Sequence, residues 1–268
     1  VKLSAMTRVS LRTVALGYLF VLLVLPLGII LYRSFEQGIG TFIDWISTPA
    51  AISAFNLSMI IVAIVVPVNV VFGVMTAIAL VRGRFPGRSL VQGLVDLPFA
   101  TSPVVVGVSL ILLWGAGGWF GGLEDYGLKI IFSLPGMVLA TIFVTLPFVV
   151  REVEPVLHEI GDDQEQAAAT LGANRWQTFW RITLPAIRWG LTYGVVLTVA
   201  RALGEFGAVL MVSTALPGQS QTLTLLVHDR YNDHNVFGAY CAATLLMGIA
   251  FVVLLLMTLL ERKRDSAS

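Results

Sequence analysis

Apolar residues run along this chain in six long blocks, separated by short polar turns and by one long polar interruption from Arg151 to Arg188. The blocks cover residues 14–32, 57–81, 90–114, 130–150, 186–212 and 236–260. A helix rising 1.5 Å per residue needs about 20 residues to cross the hydrocarbon core. Each block therefore predicts one membrane-spanning helix. The predicted fold is all-α and integral to the membrane: a single transmembrane domain over residues 1–268, with 14–32 as a first, anchoring helix and 57–260 as the core bundle. Block 14–32 follows Lys2, Arg8 and Arg12 and ends in Leu31-Tyr32-Arg33 with no small-residue cleavage site, so it reads as a retained signal anchor. Pro26, Pro67, Pro98, Pro103, Pro135, Pro147 and Pro185 fall in or beside every span but the last. Packing and motion explain such prolines equally well.

The polar interruption has a structure of its own. Asp162 or Asp163 suits a helix start, where free N–H groups favour an acidic side chain. Gln164 to Leu171 are mostly good helix formers, and Gly172 supplies a left-handed stop. Asn174 suits the cap of a second short helix, on which Trp176, Phe179 and Trp180 form one apolar face. Pro185 then stands where a new helix would begin. Residues 159–185 thus predict a folded elbow across the foot of the bundle, presented to a groove on a soluble partner.

The composition fits a membrane protein. The chain is 57% hydrophobic and 12% charged, about half the charge of a soluble domain, with a mean hydropathy of +0.86. A net charge of +1 with no concentrated basic block excludes a phosphate-backbone reader, so no nucleic-acid partner is expected. Lys and Arg set the orientation. With the N-terminus cytoplasmic, the inner segments carry Lys2, Arg8, Arg12, Arg82, Arg84, Arg88, Arg151, Arg175, Arg181, Arg188, Arg262, Lys263 and Arg264. The outer loops then carry only Arg33, Lys129 and Arg230, and Arg201 lies within a span. Both termini and the elbow are predicted inside, with Trp45, Trp114 and Trp119 at the outer boundary.

Candidate catalytic chemistry is thin. Gly83-Arg84-Phe85-Pro86-Gly87-Arg88-Ser89 has three residues between its glycines where a phosphate loop needs four, and arginine in place of lysine. His158, His228 and His234 read as loop residues without metal spacing, and no nucleophile–base arrangement is visible, so neither a catalytic residue nor a metal site is assigned. Cys241, the one cysteine, reads as a small packing residue in the last span. Asp96, next to Leu97-Pro98, reads as a local cap or hydrogen-bond acceptor. Arg201 and Glu205 are four apart in the fifth span and can pair. They are either a structural ion pair or the lining of an anion pathway, with Glu205 holding the Arg201 guanidinium in place.

The spacing Ala167-Ala168-x3-Gly172-x9-Ile182-x-Leu184-Pro185 resembles the EAA loop of permease subunits from ATP-binding-cassette importers. Here Gln166 stands at the family's glutamate, with Glu165 just before it. The resemblance implies a type I importer permease fold. It assigns Glu165, Gln166, Ala167, Ala168, Gly172, Ile182, Leu184 and Pro185 to coupling with a cytoplasmic ATPase. Ala200-Arg201-Ala202-Leu203-Gly204-Glu205-Phe206-Gly207-Ala208-Val209 resembles the fifth span of sulfate and molybdate permeases, and Asp96-Leu97-Pro98-Phe99-Ala100-Thr101-Ser102-Pro103 their third. Leu146-Pro147-Phe148-Val149-Val150-Arg151-Glu152-Val153-Glu154-Pro155 is similar to the exit of their fourth. The stretch from Leu216-Pro217-Gly218 through Tyr231-Asn232 to the last span is most similar to W-type subunits of sulfate/thiosulfate importers. The resemblance implies a multi-pass protein of the prokaryotic plasma (inner) membrane that is not catalytic alone. It implies a second, homologous permease, two ATPase subunits that use ATP and Mg, and an extracytoplasmic sulfate-binding protein; no cofactor is expected on this chain. A molybdate/tungstate permease is the alternative within the family, and an ion-gradient secondary transporter the alternative from another class; the elbow and the lack of an internal repeat speak against the latter.

Overall fold

A computed structural model describes residues 5–265, and every regular element in it is helical. Lys2, one of the cations assigned to the inner side, lies outside the described residues. The first rod consists of α1 (Ala5–Leu19), a π turn (Phe20–Val24) and α2 (Leu25–Phe35). The short α3 (Ile39–Ile46) leads into α4 (Pro49–Arg82), which starts eight residues before the predicted 57 because Thr48 caps it and Pro49 occupies its first turn. Next come α5 (Arg88–Ala100), α6 (Pro103–Trp114), a 3-10 turn (Gly121–Tyr126) and α7 (Leu134–Ile160). The elbow holds α8 (Asp163–Thr170) and α9 (Arg175–Thr178). A second π turn (Phe179–Thr183), α10 (Leu184–Leu203), α11 (Gly207–Val212), α12 (Leu223–Asn232) and α13 (Val236–Asp265) complete the chain. Among the described residues five helices are long and apolar enough to cross a membrane, and a sixth span results if α5 and α6 count as one.

Two predicted spans are broken. Block 90–114 bends by 115° between α5 and α6. Thr101 and Ser102 are extended there, because Pro103 disfavours helical backbone in the residue before it. Block 186–212 stops at Leu203 and resumes at Gly207, with Gly204 in the gap before Glu205 and Gly207 just after it. Helix α12 was not anticipated by the apolar blocks, since only its first half is apolar and it is ten residues long. The proline break expected at Pro185 is absent: Arg175–Leu203 run as one helical span. Both π turns end immediately before a Leu-Pro pair, Leu25-Pro26 and Leu184-Pro185, and in each the leucine N–H donates to the phenylalanine five residues back. The widened turn accommodates the ring and the missing N–H that would otherwise kink the helix.

The bundle core is built on α7. A Cβ at Gly73 of α4 would come within 2.7 Å of Val149, one at Gly190 of α10 within 2.6 Å of the Glu152 carbonyl, and one at Gly194 within 3.1 Å of Val149 Cα. Small residues thus bring α4 and α10 onto one α7 face, the close backbone packing that membrane helices use without a hydrophobic drive between them. Asn69 of α4 donates to Thr145 of α7 at 2.6 Å inside this core. From Ser10 on, the rod α1–α2 is exposed along nearly its whole length, and it touches α13, where Ser34 and Thr244 hydroxyls meet at 2.6 Å.

Candidate functional site

The elbow is local in origin. Asp162 precedes α8 with no side-chain cap bond, but Asp163 and Glu165 put negative charge in its first turn. Gly172 has φ +86, and the Ala173 N–H returns to the Ala168 carbonyl at 3.0 Å, closing α8. Asn174 and Gln177 form a reciprocal capping box on α9. Trp176, Phe179 and Trp180 cluster with Trp180 edge-to-face on the other two, its centroid 5.5 Å from Trp176 and 5.4 Å from Phe179. Phe179 packs on the bundle core, while Trp176 and Trp180 are exposed, as is Leu171 at the tip (89%).

Glu165 and Gln166 have separate positions. Glu165 turns inward: Oε1 accepts from the Thr183 hydroxyl at 2.8 Å, and Oε2 lies 3.2 Å from Arg82 Nε at the end of α4. Arg82 also donates to the Gly161 carbonyl. Gln166 and Ala167 are exposed, Ala168, Ile182 and Leu184 half-buried, and Gly172 and Pro185 exposed. Sequence reasoning missed Arg82 and Thr183 as partners of the elbow. Thr183 sits between motif residues Ile182 and Leu184, which was the available signal.

Asp96 does not bond locally. Arg151 of α7 donates to its Oδ1 through Nε at 3.0 Å and through a terminal nitrogen at 2.6 Å, tying α5 to α7. With the Gln92–Glu154 bond at 3.3 Å, this fixes the cytoplasm-assigned half of the broken span.

The two breaks adjoin. A Cβ at Gly207 would lie 3.1 Å from Pro103, and one at Gly107 would lie 2.6 Å from Met211 and 2.9 Å from the Ala208 carbonyl. The half-helices α6 and α11 therefore pack backbone to backbone, each starting at a break. Arg201 and Glu205 do pair, with 2.7 Å between a guanidinium nitrogen and Oε2. Their geometry is not two turns of one helix: Glu205 lies in the break, and its Oε1 accepts from the Ala208 N–H at 2.8 Å, capping α11. The Thr224 hydroxyl donates to the Glu205 carbonyl at 2.8 Å and brings α12 to the same point. Glu205 is 2% exposed, whereas 32% of the Arg201 side chain is accessible. One oxygen of the buried carboxylate is hydrogen-bonded, the other makes no hydrogen bond and is held by its charge contact with Arg201, and the guanidinium stays reachable.

Among the described residues no group of three or more His, Cys, Asp and Glu could hold a metal ion. The histidines are not all in loops: His158 lies on α7 and His228 on α12, and His234 follows α12 at φ +59. Cys241 is buried in α13.

Residues 69–266 match the family described as "Binding-protein-dependent transport system inner membrane component". The chain is 48% identical to a protein of Synechococcus elongatus named "Sulfate transport system permease protein CysW", over 95% of this chain and 90% of that one. It is 36% identical to a "Sulfate transport system permease protein CysT" of Synechocystis, over 93% and 87% of the two chains. A chain from the crystal structure of a bacterial alginate ABC transporter, in complex with an alginate pentasaccharide-bound periplasmic protein, superposes with a TM-score of 0.78 at 17% identity, covering 96% of this chain and 94% of that one. The fold is that of a type I ABC importer permease.

Proposed function

The chain belongs to the family of binding-protein-dependent transport system inner membrane components, and on that premise we propose that it is the W-type permease subunit of an ATP-driven sulfate/thiosulfate importer. The observation that carries this reading is the 48% identity, over 95% of the chain, to a protein named as a sulfate transport permease. The chain is a multi-pass inner-membrane subunit and does no nucleotide chemistry itself. A homologous T-type permease sits beside it, a reading supported by the likeness to both CysW- and CysT-named proteins. Two ATPase subunits dock beneath the elbow and use ATP and Mg, and a soluble sulfate-binding protein docks on the opposite face. Both termini and the elbow are cytoplasmic.

On this reading Leu171, Trp176 and Trp180 supply apolar contact with the ATPase, and Glu165, held by Arg82 and Thr183, transmits the ATPase's movement to α4 and α10. Closing of the ATPases draws the elbows together and turns the pathway outward, and hydrolysis resets it inward. Arg201, reachable and held in place by Glu205, lowers the barrier for a dianion at the joint of the two broken spans.

The test is to purify the tagged chain in mild detergent, identify what accompanies it, and measure ATPase stimulation by anion-loaded binding protein. Co-purification of a second, different permease with an ATPase stimulated by sulfate is expected. A complex with two copies of this chain, stimulated by molybdate and not sulfate, would overturn the sulfate reading.

A further inference from the structure

On the face opposite the elbow, the ends of α3 and α12 and the start of α4 border an open-mouthed cavity of about 740 Å³. Its lining includes Trp45, Thr48, Ser53, Arg230 and Asn235. Arg230 is the one charged residue of the lining, and its guanidinium is poorly satisfied. Its Nε is buried without a hydrogen-bond partner among the described residues and is closed to a ligand, but the side chain is 30% exposed and its nearest carboxylate, Asp233, stands 3.9 Å from a terminal nitrogen, beyond hydrogen-bond range and largely in solvent. Asn235 uses its Oδ1 to accept from the Gly238 N–H at 3.0 Å, which fixes the amide orientation and leaves Nδ2 as a donor. Trp45 Nε1 and Asn235 Nδ2 both border one point, 2.8 and 3.0 Å from where a Gly238 Cβ would stand. The hydroxyls of Thr48 and Ser53 spend their protons on the carbonyls of Trp45 and Ala50.

We infer that this cavity is a binding site for a tetrahedral oxyanion, sulfate or the phosphate of an anionic lipid headgroup, held by Arg230, Asn235 and Trp45. The terminal nitrogens of an arginine, free of a close carboxylate, are preferred partners of such oxygens. The three donors rise from separate elements (α3, α12 and the turn before α13), which suits oxygens pointing in several directions. The site is distinct from the Arg201–Glu205 pair, which lies within the bundle at the α10–α11 break. Trp45 ends a short helix whose Ile39 and Ile43 are exposed, the arrangement of an element lying at headgroup depth. Only the assignment of this face to the outside rests on the proposed function, because the binding chemistry needs no particular transported anion.

The experiment uses the full chain with its co-purifying partners in mild detergent and follows thermal unfolding. The probes are sodium sulfate against chloride at equal ionic strength, and dihexanoylphosphatidylglycerol against dihexanoylglycerol, which lacks the phosphate. Each probe is titrated on the unmodified chain, Arg230→Gln and Asn235→Asp. Asn235→Asp keeps the acceptor for the Gly238 N–H and turns the amide donor into a negative charge, so it tests the site even if Arg230→Gln fails to fold. A saturable stabilisation is expected whose half-saturating concentration rises at least tenfold in the variants. If only the phosphatidylglycerol shift is variant-sensitive, the oxyanion is a headgroup phosphate; if the sulfate shift is, the site takes free anion. Shifts that the variants leave unchanged, or none with either probe, overturn the inference. The readout is binding, so it fails or holds independently of whether the complex imports sulfate.

Discussion

The Thr183 hydroxyl donates to Glu165 Oε1 at 2.8 Å, joining the first turn of α8 to the π turn that leads into α10. Since Arg82 approaches the other carboxylate oxygen, one side chain links the elbow to both the second and the fifth spanning helices. Force applied to α8 therefore reaches α4 and α10 without passing through the exposed loop at Gly172.

Glu165 and Gln166 should differ sharply in their effect on coupling. Glu165→Ala removes contacts to Thr183 and Arg82, and a hydrogen bond to a charged group is worth about 1.5–3 kcal/mol, enough to shift the elbow's placed population about tenfold. Sulfate uptake should fall several-fold while the chain still reaches the membrane. Gln166→Ala, on the exposed side, should cost less than twofold. Equal losses in uptake assays of the two variants would contradict the inward role of Glu165.

Gly172 should tolerate little. At φ +86 an L-residue with a side chain is strained by about 1–2 kcal/mol, most for a β-branched one. No neighbouring atom lies within 4 Å of a Cβ at this position, so the penalty is conformational and not steric contact. Gly172→Val should loosen the α8–α9 corner and reduce co-purification of the ATPase, and Gly172→Asn, which enters the left-handed region more readily, should retain more of it. Pull-down yields of the three chains measure this order.

The elbow was legible because its signals are local: a glycine stop after α8, an asparagine cap on α9, and aromatics at helical spacing. The breaks at Thr101–Ser102 and Gly204–Phe206 were not, because apolar block length counts residues without testing continuity. Ser102 before Pro103 and the glycines around Glu205 were the signals that outweighed it. Pro185 misled in the opposite direction, since a π turn absorbs it. The contacts between Arg151 and Asp96 and between Arg82 and Glu165 join distant stretches of chain, so no local pattern announces them. The Arg201–Glu205 pair was expected from a spacing of four, but the carboxylate's second role, capping α11, depends on the helix ending where sequence reasoning had it continue.

Topology follows from the placement of exposed loops. A cysteine at Gln219, in the loop between α11 and α12, should react with an impermeant thiol reagent added outside. One at Leu171 should react only after the membrane is opened, since the elbow carries the inner-side arginines. The background is Cys241→Ser, which removes the one native thiol. Labelling of Leu171→Cys in sealed cells would invert the orientation and take the elbow away from any cytoplasmic ATPase.

Arg201 and Glu205 separate scaffold from pathway. Glu205 is buried, caps α11 through one oxygen and meets Arg201 through the other. Glu205→Gln keeps an oxygen for the Ala208 N–H and leaves the positive group in place, so assembly should survive and uptake should fall modestly. Arg201→Met leaves a buried carboxylate without its cation, and removing one partner of such a pair costs about 3–5 kcal/mol. That variant should assemble poorly. The double variant Arg201→Met with Glu205→Gln leaves neither charge behind, so assembly should recover relative to Arg201→Met alone. If the accessible guanidinium serves a passing dianion, uptake in the double variant should stay at least tenfold below the unmodified chain despite normal assembly. Sulfate uptake normalised to assembled complex decides the matter, and near-normal uptake in the double variant would reduce the pair to a structural lock at the α10–α11 break.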